Sequence, residues 1–152
     1  MITKKITTMK IKVLNSSISI PKYETIHSAG MDIRAFIPDG DIEIKPRETK
    51  LIPTGLYFEI PMGHEVQIRP RSGLALKNGI TILNSPGTID ADYRGEIKVI
   101  LINHSSNEFI VTNEMRIAQM VVTQFTRVDL IEVSQLSETD RGEGGFGSTG
   151  TN

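Results

Sequence analysis

Three short segments combine residues able to activate water or grip an anion. The first, Gly87-Thr88-Ile89-Asp90-Ala91-Asp92-Tyr93-Arg94-Gly95-Glu96, sets two carboxylates at i and i+2, on one side of the chain wherever it runs extended. A carboxylate so placed can take a proton from water. Asp beside Gly is also ordinary turn chemistry, so a charged surface hairpin fits the same residues. The second segment, Pro70-Arg71-Ser72-Gly73, offers a guanidinium, a hydroxyl and backbone amides at the expected start of a helix, the makings of an anion site. Ser is equally a common N-cap and Arg a common solvated charge. The third is the glycine-rich run Gly142 to Asn152, which holds five of the thirteen glycines and a single aromatic, Phe146. Glycine lets backbone amides approach a ligand closely, and Arg141, Ser148 and Thr149 add donors suited to phosphate oxygens. The run reads as a phosphate lid or as a frayed terminus. Phe146 favours the lid, because an aromatic with no core to join can lie on a nucleobase, a contact that contributes about 1–3 kcal/mol.

Several familiar sites are excluded. Gly142, Gly144 and Gly147 match the G-x-G-x-x-G spacing, yet that motif needs a strand before it and a helix after it, and with five residues beyond Gly147 no helix is expected there. No lysine precedes Ser148 and Thr149, as a Walker loop requires. His27, His64 and His104 lie far apart, without the spacing of a zinc-binding helix. Cysteine is absent, which removes disulfides, thiol catalysis and thiolate metal sites and favours the cytosol.

These segments must be held by strands. Apolar residues alternate at Met9, Ile11 and Val13, at Met31, Ile33 and Ala35, at Ile42 and Ile44, and at Val66 and Ile68, the two-residue period of a half-buried strand. Turn formers such as Pro38-Asp39-Gly40, Pro61-Met62-Gly63 and Pro86-Gly87 separate them, as in a β-sandwich or barrel. One short helical turn is expected from Ser72 to Lys77, ended by Gly79. Ile97 to Asn103 and Ile117 to Thr123 are almost continuously apolar, so both faces of these strands are expected to be covered. A second subunit, or the centre of a monomeric sandwich, would supply the cover.

The 152 residues make one domain by size. Seventeen Lys and Arg against eighteen Asp and Glu give a formal charge of −1, so no broad positive field exists for nucleic acid or an anionic membrane, and neither is an expected partner. The basic start MITKKITTMK lacks the apolar stretch of a signal peptide, and Val99 to Ile102 is far short of a membrane span.

Five segments taken in order resemble the five motifs of the trimeric deoxyuridine triphosphatase (dUTPase) family: Ala29 to Ala35, Arg71 to Ala75, Gly87 to Glu96, Arg116 to Met120 and Arg141 to Gly150. Met31 departs from the commonest pattern, and Glu114-Met115 stands where a Gly-acid pair is usual, a change that touches turn geometry. The resemblance implies an all-β, jelly-roll-like β-clip fold with one short helix, assembled as a homotrimer with shared active sites. Residues 1–140 would form the β domain, and 141–152 a flexible lid over a neighbouring site.

The implied reaction is hydrolysis of dUTP to dUMP and pyrophosphate, with Asp90 as the base that activates water for attack on the α-phosphorus. Asn84, Gly87, Thr88, Ile89, Asp90, Tyr93, Lys98 and Phe146 would bind base and sugar. Arg71, Ser72, Gly73, Arg116, Gln119, Arg141, Gly147, Ser148 and Thr149 would bind phosphates. Mg²⁺ is the implied cofactor, carried by the triphosphate with no direct protein ligand and reached through water by Asp32 and Gln119. A cytoplasmic role in removing dUTP and supplying dUMP follows from the same resemblance. A deaminase on this fold would need an additional acid/base at the pyrimidine C4, and a binding module without turnover would have no need of Asp90.

Overall fold

The computed structural model describes residues 7–145. Ten strands and one helix follow in order: β1 (Lys10–Val13), β2 (Gly30–Arg34), β3 (Ile42–Ile44), β4 (Thr49–Glu59), β5 (His64–Arg69), α1 (Ser72–Asn78), β6 (Ile80–Ile82), β7 (Gly87–Ile89), β8 (Ile97–Asn103), β9 (Phe109–Val111) and β10 (Arg116–Gln124). They make two four-stranded sheets, ordered β1-β4-β8-β6 and β2-β10-β5-β7, and a two-stranded ribbon of β3 and β9. Each strand pair is antiparallel.

One core joins all three sheets. Ile52, Leu56, Ile97, Val99 and Leu101 come from the first, Ile33, Val66, Ile68, Ala118 and Met120 from the second, and Ile44 and Val111 from the ribbon. Of these, Ile33, Ile44, Val66 and Ile68 are inward positions of the alternating runs, so there the period-two pattern sets the register.

The two apolar strands differ in part from expectation. In β8, Ile97, Val99, Leu101 and Asn103 are buried while Ile100 and Ile102 are half-buried and Lys98 is exposed. Within a single chain the outer face is thus only partly covered. Buried Asn103 is satisfied by donating to the carbonyls of Ile44 and Asn107, which ties β8 to the ribbon.

The helix starts at Ser72, as expected, and ends where Gly79 adopts φ 65°, the left-handed conformation that closes helices. No residue of α1 is buried. The last strand ends at Gln124, and residues 125–140 contain no helix or strand. Val128, Leu130, Ile131, Val133 and Leu136 in that stretch are exposed. Among the described residues no helix is long and apolar enough to cross a membrane.

Candidate active site

The segment Gly87 to Glu96 leaves its strand at Ile89 and turns. The Tyr93 amide donates to the Asp90 carbonyl at 3.2 Å, and Arg94 closes the turn by donating to the carbonyls of Ala91 and Tyr93 at 2.7 and 3.0 Å. Asp90 and Asp92 are therefore not on one extended strand, and the condition for a side-by-side carboxylate pair is not met. Asp90 faces a cavity of about 340 Å³, lined also by Asn84, Thr88, Ile89, Tyr93 and Lys98. Gly87 is buried, its Cα side lying against Ile68 and the Asn84 amide nitrogen, 3.3 Å from where a Cβ would sit.

Three further residues line this cavity: Leu51, Glu96 and Ile100. The half-buried apolar face of β8 supplies Ile100, and β4, its neighbour, supplies Leu51. Glu96 has a stronger structural reason to be there. The β4–β8 register shifts between Pro53 and Leu56, where Gly55 takes φ 65° and donates its amide to Glu96 Oε1 at 2.9 Å. The other carboxylate oxygen lies 3.5 Å from Lys98 Nζ. A bulge in one strand thereby anchors Glu96, and the ion pair it makes with Lys98, in the wall of the cavity. In the sequence the only hint was a left-handed glycine's worth of slack in β4, and a bulge cannot be assigned to a partner strand from one sequence.

A second cluster forms where β2 and β10 lie side by side. Asp32 on β2 pairs with Gln119 on β10. Its Oδ1 accepts from Arg71 Nε at 2.9 Å, and its Oδ2 lies 3.4 Å from Arg116 Nε. Arg116 also reaches Glu24 at 3.5 Å, and Arg71 donates to the Arg116 carbonyl at 3.2 Å. Gln119 donates to the Pro70 carbonyl at 2.9 Å. Its amide has room because residue 30 is glycine: a Cβ there would stand 2.6 Å from Gln119 Oε1. Ser72 and Gly73 open the helix beside Arg71 and are exposed. Arg71 holds the N-cap position, where a guanidinium, having only donors, cannot cap the helix amides, and it donates to Asp32.

Asp32 and Arg116 line a polar cavity of about 370 Å³ with Ser19, Lys22, Glu24 and Arg34. The two cavities share no lining residue. Among the described residues no three His, Asp or Glu side chains come together as a metal cluster. Two carboxyls away from both cavities are held below the usual glutamate range, Glu59 by its hydrogen bond to Lys10 and Glu48 by its hydrogen bond to Lys50. Arg141 is exposed and donates to the Gly144 carbonyl at 2.8 Å. Phe146, Gly147, Ser148 and Thr149, the rest of the expected lid, lie outside the described residues.

Fold and sites define a mostly β domain that carries its polar chemistry on one turn and on one strand pair. Comparison with known proteins makes the class specific. The dUTPase family model matches residues 16–150. The deoxyuridine 5'-triphosphate nucleotidohydrolase of Nautilia profundicola is 59% identical over 142 residues, 93% of this chain and 98% of that protein. The protein of the same name from Rickettsia felis is 58% identical over 146 residues, covering 95% and 98%. A mutant dUTPase of Staphylococcus bacteriophage 80alpha, solved with dUpNHpp, superposes with a TM-score of 0.85 at 25% identity over 95% of this chain and 99% of its own. The chain belongs to the dUTPase family.

Proposed function

We propose that the protein is a dUTP diphosphatase that hydrolyses dUTP to dUMP and pyrophosphate. The observation that carries this reading is the 340 Å³ cavity, in which Asn84, Thr88, Ile89, Asp90, Tyr93 and Lys98 come together in a chain of the dUTPase family. Asn84 and the backbone from Gly87 to Ile89 pair with the polar edge of uracil. Cytosine leaves those groups unpaired, which is strong discrimination. Tyr93 packs on the deoxyribose, and Lys98 contacts the nucleotide from β8.

Asp90 takes a proton from water as the water oxygen attacks the α-phosphorus. The bond from that phosphorus to the bridging oxygen breaks, and pyrophosphate leaves. General-base assistance of this kind is worth about 10²–10⁴-fold. The rest of the barrier falls through charge neutralisation by Arg71, Ser72, Gly73, Arg116 and Gln119, with Arg141, Phe146, Gly147, Ser148 and Thr149 closing from residues 141–152 as a lid. Asp32, paired with Arg71 and close to Arg116, and Gln119 would face Mg²⁺ carried on the triphosphate through water. Bound there, Mg²⁺ withdraws charge from the phosphoryl oxygens.

The same reading makes the working unit a homotrimer with shared sites. Support comes from the two clusters lining separate cavities, from the partly open face of β8 and from the exposed apolar residues after Gln124, each of which a second copy would complete or cover. The deciding experiment incubates the purified protein and Mg²⁺ with dUTP, dCTP, dTTP or UTP and measures pyrophosphate and nucleotide products. Pyrophosphate and dUMP from dUTP alone are expected. Deaminated product from dCTP, or no product from any of the four, overturns the reading.

A further inference from the structure

The geometry points to Gly95 as the residue that seats the Tyr93 ring and, through it, sets discrimination between deoxyribose and ribose. The inference rests on the assignment of Tyr93 to the sugar. A Cβ at position 95 would stand 2.3 Å from Tyr93 Oη, 2.5 Å from Cζ and 2.9 Å from Cε2, separations that no real pair of atoms sustains. The phenol edge therefore lies directly on the Gly95 backbone, and its Oη donates to the neighbouring Glu96 carbonyl at 3.0 Å.

The backbone does not itself ask for glycine here. Gly40, Gly55, Gly63, Gly79 and Gly142 have positive φ, and Gly95 is not among them, so alanine fits the chain conformation. What excludes a side chain is the ring. Tyr93 is 44% exposed, so it can swing outward without disturbing the core. A methyl group at 95 thus moves one aromatic side chain in the cavity wall and little else, and Gly95 acts as a positioning residue rather than a structural one.

Three variants test this: Gly95→Ala, Tyr93→Ala and the double variant, each assayed for kcat/KM on dUTP and UTP, with the tyrosine ring resonances recorded by NMR. Gly95→Ala is expected to shift the Tyr93 resonances while Tyr23 and Tyr57 stay fixed, and to cut the preference for dUTP over UTP at least about tenfold, with Tm changed by no more than about 2 °C. In the Tyr93→Ala background Gly95→Ala should have no further effect on the preference, because the group it displaces is gone. Unmoved Tyr93 resonances, or a preference lost in Tyr93→Ala but kept in Gly95→Ala, overturn the role of Gly95. A preference unchanged in Tyr93→Ala instead overturns the sugar assignment, and with it the selectivity claim, while the resonances still decide whether Gly95 seats the ring.

Discussion

Asp32 holds Arg71 with its Oδ1 at 2.9 Å and turns its other oxygen to Arg116 Nε at 3.4 Å, so one carboxylate orients two guanidiniums drawn from the start of α1 and the start of β10. The group is partly buried, with the Asp32 side chain 22% exposed, so the pairing is screened less than a surface bridge. Asp32→Asn keeps the shape and removes the charge. We expect KM for dUTP to rise about five- to tenfold with kcat changed less, because ground-state and transition-state phosphates lose the same two oriented cations, and stability in urea to fall by about 1 kcal/mol. A fall in kcat at constant KM would instead place Asp32 in the chemical step.

Asp90 is exposed at the mouth of its turn, and its carbonyl accepts from the Tyr93 amide, while among the described residues no hydrogen bond reaches its carboxylate. Replacing it by Asn should therefore leave the turn intact. Turnover of dUTP is expected to drop at least about a hundredfold while nucleotide affinity, measured by calorimetry, stays within about threefold. A variant that keeps its turnover removes Asp90 as the base.

Glu114 adopts φ 62°, in the turn that leads into the β10 arginine, Arg116. A residue with a Cβ in that conformation costs about 1 kcal/mol. Glu114 recovers part of that through the Ser19 hydroxyl, which donates to its Oε2 at 3.0 Å. Glu114→Gly should relieve the strain, lose that exposed bond and raise stability by about 0.5 kcal/mol, read as a higher urea midpoint at constant m. Destabilisation would show that the Ser19 contact outweighs the strain.

Deleting 141–152 should leave melting nearly unchanged, because no residue from Gln124 to Glu143 is buried and an exposed end adds little to a core. Hydrolysis of dUTP is expected to fall by more than about tenfold, as the lid reading requires. A large loss of thermal stability would make the tail structural.

What the sequence revealed divides along physical lines. Inward residues such as Ile33, Ile44 and Val66 were legible because the strand period is the burial pattern itself, and Gly79 because a helix end selects left-handed glycine. Asn84, Thr88, Ile89, Asp90, Tyr93 and Lys98 were singled out as nucleotide-binding residues only through motif resemblance, and they line one cavity. Glu96 was missed because its place depends on the Gly55 bulge across the sheet. The Asp32 pairing with Arg71 and Arg116 joins positions 39 to 84 residues apart, and no local signal encodes which cation a carboxylate will face.

The separation of the two clusters carries the last prediction. Asp90 and Tyr93 line one cavity while Asp32 and Arg116 line another, with no shared residue, yet hydrolysis needs a base and phosphate-binding arginines on one substrate. A trimer reconciles the two if each site takes its hairpin from one subunit and its arginines from a neighbour. Asp90→Asn and Arg71→Ala would then each abolish most activity alone, but their defects would lie in different halves of a shared site. Unfolding the two variants together in equal amounts and refolding them should restore about a quarter of wild-type activity, the share of sites that draw an intact half from each neighbour under random assembly. Each variant refolded by itself should remain inactive. Recovery near zero in mixed trimers, with the mixture verified by mass, would mean that Asp90 and Arg71 serve the same site from the same subunit, and the shared-site arrangement would fall.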